Sequence, residues 1–466
     1  MLWLRRDLRL GDHPAWRTAI EAGQGETLAV FVIDPRMWSA AGPRRRAWLA
    51  ASIAAVRDSI EGRLTLAHGD PTMVIPELAR RAGASSVHVS RETNPVGQRR
   101  DERTARALAD AGVAWVPTGT PYAVGPGLVR NRQGGAYQVF TPFRRAWIEH
   151  GWPAPAPAAS RRSPIVLSAG DVPGHAPAVT ALNSALAEVE AEIFPPPGEA
   201  AAIARWTEFR DTGLTSYHIA RDRPGVDGTS RLSPYLKVGA IHPRTLLADL
   251  IGRAGPGVDA FVSELAWREF AADVLLHCPY SSHQDLRDTL SGMRYEQPAD
   301  AIEAWRAGQT GYPIVDAGMR QLAATGWMHN RVRMITASFL VKDLHVWWPI
   351  GARYFMEQLI DGDVASNSHG WQWTAGTGTD PSPFARVFNP MLQGRRFDPD
   401  GAYVRRWVPE LAHLPGAAVH EPWSVAAGYE YGYPRRIVDH AEERQEALAR
   451  FAALRPSRLS TSRRTS

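Results

Sequence analysis

Leu28-Ala29-Val30-Phe31-Val32-Ile33 is the stretch on which the fold turns. This run of apolar residues reads as a strand buried on both faces. Leu64-Thr65-Leu66, Val87-His88-Val89 and Val113-Ala114-Trp115-Val116 read the same way, with helices over 44–60, 72–82 and 100–111 between them. Strands alternating with helices over the first 120 or so residues argue a parallel, doubly wound sheet with right-handed crossovers. Such sheets take ligands beyond the carboxyl ends of their strands. No G-x-G-x-x-G follows the first strand, so no dinucleotide site is expected in this half.

Moving outward, the character changes at 151–197. Trp152-Pro153-Ala154-Pro155-Ala156-Pro157 and Phe194-Pro195-Pro196-Pro197 carry proline at a density that excludes helix and sheet alike. The reading is a long linker over the surface, 131–197, with one helix at 178–193. Beyond it the strand signals vanish. Helices are expected at 200–212, 243–250, 261–277, 299–307, 315–325, 330–343, 350–359 and 440–454, followed by a polar, disordered tail over 456–466. The chain divides into an α/β domain (1–130), the linker, and an all-helical domain (198–455).

The composition is that of an ordinary globular protein, 44% hydrophobic and 22% charged over 466 residues, which excludes a wholly disordered chain. No apolar run is long enough to span a bilayer, and Met1-Leu2-Trp3-Leu4-Arg5-Arg6 has no signal core; a cytoplasmic protein without membrane contact is expected. A single cysteine, Cys278, excludes a disulfide framework and Cys-rich metal sites. The net charge of +5 permits an acidic partner without identifying one. Lys237 and Lys342 are the only lysines among 53 cations, a bias explained by base composition. Seventeen tryptophans, most of them between Trp206 and Trp423, are harder to assign to composition.

Three constellations stand out in the helical half. Gly228-Thr229-Ser230-Arg231-Leu232-Ser233-Pro234 places hydroxyls before a helix start; it suits a phosphate cradle, though by itself it reads first as a capping segment. Glu264, Trp267 and Arg268 share a helix face, as a surface ion pair beside a core Trp also would. Asn330, Arg333 and Met334 share another, and if buried they need partners. The densest run is Leu359-Ile360-Asp361-Gly362-Asp363-Val364-Ala365-Ser366-Asn367-Ser368-His369-Gly370-Trp371-Gln372-Trp373-Thr374. A calcium loop is excluded because Gln372 stands where its closing glutamate should be. H-E-x-x-H, Walker A and G-x-S-x-G are absent, and the histidines lack ligand spacing, so no metal site is expected.

Gly228–Pro234, Glu264–Phe270, the run from Thr310-Gly311-Tyr312-Pro313 through Lys342-Asp343, the segment from Phe355 through Trp373, and the opening Leu4-Arg5-Arg6-Asp7-Leu8-Arg9-Leu10 together resemble the photolyase/cryptochrome family of flavoproteins. Within it the chain is most similar to the class I enzymes that repair cyclobutane pyrimidine dimers. The resemblance implies a Rossmann-like antenna domain, a linker and a helical FAD domain. It also implies a carbon–carbon lyase acting on UV-damaged DNA as a monomer with no obligate protein partner. The alternatives are a cryptochrome photoreceptor without repair activity and a (6-4) photolyase. Asn367, Met334, Glu264 with Trp267, and a tail of only about ten polar residues argue against the first. The absence of a His pair, where Asn330 and Met334 stand, argues against the second.

By the same resemblance, Tyr217, Thr229, Ser230, Arg231, Leu232 and Ser233 would contact the FAD phosphates and ribityl chain, with Arg268 also at the cofactor. Arg333 and Asp361 would pair against the isoalloxazine, Asp363 would accept from its ring N–H, and Asn367 would face N5, favouring the catalytic FADH⁻ form. A lesion flipped from the duplex would meet Glu264, Asn330 and Met334 between Trp267 and Trp373, while Arg221, Arg331, Arg395 and Arg396 would hold phosphates. Trp371, Trp348 and Trp305 would form an electron chain to the surface, with Trp348 fitting the spacing better than its neighbour Trp347. Arg45 and Asp101 are candidate antenna contacts, closer to 8-hydroxy-5-deazaflavin than to methenyltetrahydrofolate, and an empty antenna site is the third possibility.

Overall fold

The central strand of the sheet is one that periodicity does not reveal. β1 is only Leu2–Leu4, too short to show alternation, yet all three residues are buried. It lies between β2 (Ala29–Ile33) and β4 (Ser86–Val89); β3 (Thr65–His68) and β5 (Ala114–Pro117) complete an all-parallel sheet in the order β3-β2-β1-β4-β5. The computed structural model describes residues 1–158, 165–189, 194–380, 383–384 and 386–454. The tail at 456–466 and the end of the helix expected at 178–193 fall outside these.

Helices α1 (Pro14–Ala22), α2 (Pro43–Ser59), α3 (Pro71–Arg81) and α4 (Pro95–Asp110) connect the strands, and each starts on a proline, whose missing N–H costs a first turn nothing. Asp70 and Asn94 cap α3 and α4 by accepting from the Thr72 and Gly97 amides at 3.0 and 2.8 Å. That cap starts α4 five residues before the expected 100.

The strand order reverses between β1 and β4, where an open α/β sheet has its crevice. Here the chain leaving β1 fills it. Arg5 pairs with Asp101 at 2.5 Å, and Arg6 reaches across to Asp363 of the helical half at 2.9 Å. The Leu8 amide donates to the Val238 carbonyl at 3.1 Å. Gly239, at φ +75°, lies so close that a β-carbon there would stand 2.0 Å from the Arg6 carbonyl oxygen. Only glycine permits that approach.

The linker is more than extended chain. The Pro-rich residues 152–157 have no regular structure, as expected, but they follow a helix, α5 (Phe140–His150), and precede another, α6 (His175–Ala187). α5 buries Phe140, Phe143 and Trp147 on α7 (Pro256–His277), with Phe140 stacked on Trp267 at 3.6 Å. Trp147 donates to Glu269 at 2.9 Å.

From 199 onward, β structure among the described residues is limited to one bridge between Glu296 and Val346. α8 (Asn330–Ser338), α9 (Trp348–Gln358), α10 (Val364–Ala375) and α11 (His440–Ala453) frame the core of this half. α10 lay within the densest run and was not anticipated as a helix. No helix of the described residues is long and apolar enough to cross a membrane.

Candidate functional site

The 22-residue helix α7 projects Glu264, Trp267 and Arg268 from one face, and that face borders a cavity of about 650 Å³. Other elements bring the rest of the wall. The loop Thr229–Ser233 lines it together with Tyr217 and Arg221; α8 adds Asn330, Arg331, Arg333 and Met334; the turn before α10 adds Asp361 and Asp363; and α10 adds Trp373. Residues scattered over more than 150 positions thus converge on one space.

The Thr229–Ser233 loop is held from behind. Arg205 donates to the carbonyls of Thr229 and Ser230 at 2.8 and 3.0 Å. Arg231 adopts φ +51°, a strained region for a non-glycine residue, and bonds Asp227 at 2.8 Å. The backbone therefore presents its hydroxyls to the cavity in one conformation, as a preorganised polar cradle does.

The electrostatics of the wall come in two kinds. Asp363 is surrounded: burial alone would push its carboxyl up, but Lys237, Arg6 and Arg268 outweigh that and hold it well below its usual range. Burial in turn pulls the Lys237 ammonium down to about 8, against the opposing pull of Asp363. Asp361 is different. One oxygen accepts from Arg333 at 2.8 Å, while the other, Oδ1, is buried without a partner. An orphaned buried carboxylate oxygen on a cavity wall is a place for a ligand donor. Together with the cradle and three nearby cations, it fits FAD, which brings N–H and hydroxyl donors and a pyrophosphate. Glu264 sits in the wall as a carboxyl whose desolvation raises its pKa, while Arg221 at 2.8 Å opposes the rise.

Several expected residues take other places. Asn367 does not line the cavity; its side-chain N–H donates to the Ala352 carbonyl on α9 at 2.9 Å. Helix geometry explains this, since 366, 370 and 373 form the cavity face of α10 and 367 and 371 the face turned to α9. Arg221 and Arg331, expected on DNA phosphates, pair with Glu264 and Asp222. Arg395 and Arg396 lie outside the cavity, the first paired with Glu421 and the second over Phe397. Trp305 cannot be a surface terminus: it is 1% exposed, donates to the Thr336 carbonyl and meets Trp371 edge-on at 6.2 Å. Trp348 is fully buried and donates to Asp285 at 2.6 Å, and half-buried Trp347 shares that carboxylate oxygen at 3.4 Å. Of the antenna candidates, Asp101 is bonded by Arg5 and Arg100, and Arg45 donates to the Met356 carbonyl.

Sequence reasoning missed Arg6 and Lys237 as the partners of Asp363, and Trp327 beside Arg231. A signal existed for Lys237, since a lysine in a chain that otherwise uses arginine is a residue worth explaining.

Comparison with known proteins gives the geometry its context. Residues 1–160 match the family model described as DNA photolyase, and residues 261–453 the model described as the FAD binding domain of DNA photolyase. The chain is 38% identical to the deoxyribodipyrimidine photo-lyase of Salmonella typhimurium over 98% of both chains. It is 39% identical to that of Halobacterium salinarum over 98% of this chain and 99% of the other. Among solved structures, a bacterial class III photolyase from Agrobacterium tumefaciens superposes with a TM-score of 0.89 at 37% identity, covering 97% of this chain and 96% of that one.

Proposed function

Because the chain belongs to the photolyase/cryptochrome family, we propose that the 650 Å³ cavity is its repair site, with FAD and a pyrimidine dimer held by one wall. The reaction is the light-driven splitting of cyclobutane pyrimidine dimers in DNA. Thr229–Ser233, Arg268, Arg333, Asp361 and Asp363 would hold FAD, which in its reduced form would supply the light-driven electron that the ring opening needs. The observation that carries the reading is the convergence of two residue sets on one space: Glu264, Trp267, Asn330, Met334 and Trp373 with Thr229–Ser233, Arg333, Asp361 and Asp363.

Each side chain has a task that follows from its setting. The Thr229–Ser233 hydroxyls and Arg268 hold phosphate and ribityl oxygens, and the free Asp361 oxygen accepts a cofactor N–H or O–H. Trp267, fixed by its stack on Phe140, and Trp373 wall the space for the two linked pyrimidines and exclude water. Glu264, raised by desolvation and opposed by Arg221, presents its carboxyl to the carbonyl and N–H edge of the pyrimidines. Asn330 donates to the same edge, and Met334 packs beside it. Trp371 and Trp348 carry electrons inward when the cofactor must be reduced. Asn367, on the face of α10 turned to α9, ties the two helices through the Ala352 carbonyl, so any effect on the cofactor runs through the position of α10.

Arg45 and Asp101 remain the candidates for a second chromophore, 8-hydroxy-5-deazaflavin before methenyltetrahydrofolate. Their internal bonds favour the third possibility, an α/β domain that holds none at these residues. The protein works in the cytoplasm as a monomer on UV-damaged DNA.

The test is dimer reversal in UV-irradiated oligo(dT) by the dithionite-reduced protein, in blue light and in darkness, after an absorption spectrum. Loss of dimer in light alone is expected. Bound flavin without repair would move the chain to the photoreceptor reading, and absent flavin would undo the cofactor assignments.

A further inference from the structure

A second, smaller recess of about 350 Å³ opens beside the cavity, lined by Thr141, Arg144, Arg145 and Ile148 of α5 and by Ser263 of α7. Its cations differ from three of those on the cavity wall. Arg221, Arg331 and Arg333 each have a carboxylate partner, whereas Arg144 and Arg145 enter no ion pair among the described residues. Arg144 Nε is buried without a hydrogen-bond partner, and Arg145 is exposed. Thr141 and Ser263 add two hydroxyls. Unpaired guanidinium groups with hydroxyl donors in a concave seat are complementary to a phosphodiester.

The position of the recess says which phosphodiester. Ser263 immediately precedes Glu264 on α7, and Arg144 lies one helical turn beyond Phe140, the ring stacked on Trp267. The recess and the dimer cavity are thus built on the same two helices. We propose that it is a second anchoring site for the DNA backbone, seating a phosphate of the duplex that flanks the dimer. The site rests on the repair reading above. It supplies register and affinity on the duplex and takes no part in the photochemistry.

Salt titration of binding tests it. The probe is a duplex with one thymine dimer and about ten base pairs on either side, its affinity followed by anisotropy from low to physiological salt. Each phosphate neutralised contributes about 0.9 to the slope of log affinity against log salt, so Arg144→Ala with Arg145→Ala, which gives up the one phosphate of this recess, should flatten it by about 1. The Arg144→Lys, Arg145→Lys pair should keep the wild-type slope, and light-driven repair of the isolated dimer dinucleotide should be unchanged in both. An unaltered slope in the alanine pair overturns the site. So does a fall in dinucleotide repair matching the fall in duplex affinity, because the effect would then run through the Phe140–Trp267 stack. Failure of the repair reading shows separately, as wild-type protein that binds damaged and intact duplex alike.

Discussion

The molecule has two places suited to a chromophore, and they treat charge in opposite ways. In the crevice at the carboxyl ends of β1 and β4, Arg5, Arg6, Glu92, Arg100 and Asp101 are bonded to one another or to the helical half. In the helical cavity, Asp361 keeps a buried oxygen unpaired and the Thr229–Ser233 hydroxyls face open space. The first arrangement joins domains; the second awaits a ligand. An α/β sheet can therefore use its switch point as a socket, with Arg6 as the plug and Asp363 as its seat.

The substitution that most directly breaks this contrast is Asp363→Ala. It takes away the carboxylate that Arg6 and Lys237 share, leaving Lys237 without its ion-pair partner and Arg6 with Glu92 alone, and removing one member of such a buried cluster costs about 3–5 kcal/mol. A thermal melt and the flavin content of purified protein should both show the loss. Acid should act next. His242, His329 and His369 are each pulled down to about 4 by burial, so their contribution is complete above pH 6.5 and lost as pH falls towards 4, at roughly 3 kcal/mol each as an upper figure. Asp343, pushed up to about 6 by burial, works in the other direction and offsets part of the fall. His369→Gln should make the acid-induced drop in melting temperature shallower and move flavin release to lower pH. Smaller again is Glu264→Gln, which removes one charge-assisted hydrogen bond, about 1.5–3 kcal/mol. Repair quantum yield should fall while flavin stays bound.

The sequence made the sheet legible wherever strands ran as apolar blocks, and the helical half wherever apolar residues recurred at helical spacing. β1 escaped because three residues carry no period, although its burial makes it the centre of the sheet. α4 starts five residues before the expected 100 because Asn94 caps it and Pro95 opens its first turn. The cavity wall was readable from the family resemblance down to Asp361 and Asp363. What could not be read was which of these residues have partners. Arg221 with Glu264, Arg331 with Asp222 and Arg6 with Asp363 are set by tertiary packing across as many as 357 positions, and no local pattern encodes them.

The tryptophans give the mildest expected effect and the sharpest correction. A chain delivering electrons from solvent must end where a reductant can reach it. Trp305, at 1% exposure and enclosed by Tyr354, Phe355 and Trp371, has no such access. Trp348 is equally buried, but the Asp285 oxygen that accepts its indole N–H also accepts from Trp347, which reaches solvent. A carboxylate there favours positive charge on either ring by ordinary Coulomb attraction. Trp305→Phe should then cost about 1 kcal/mol of stability through the lost bond to Thr336. It should leave the photoreduction of oxidised flavin by an external thiol at the wild-type rate. Trp348→Phe should slow that photoreduction severely and leave dimer repair by pre-reduced protein intact. If the Trp305 variant were the slow one, its contact with Trp371 would be the conducting step, and the exit through Trp348 and Trp347 would have to be abandoned.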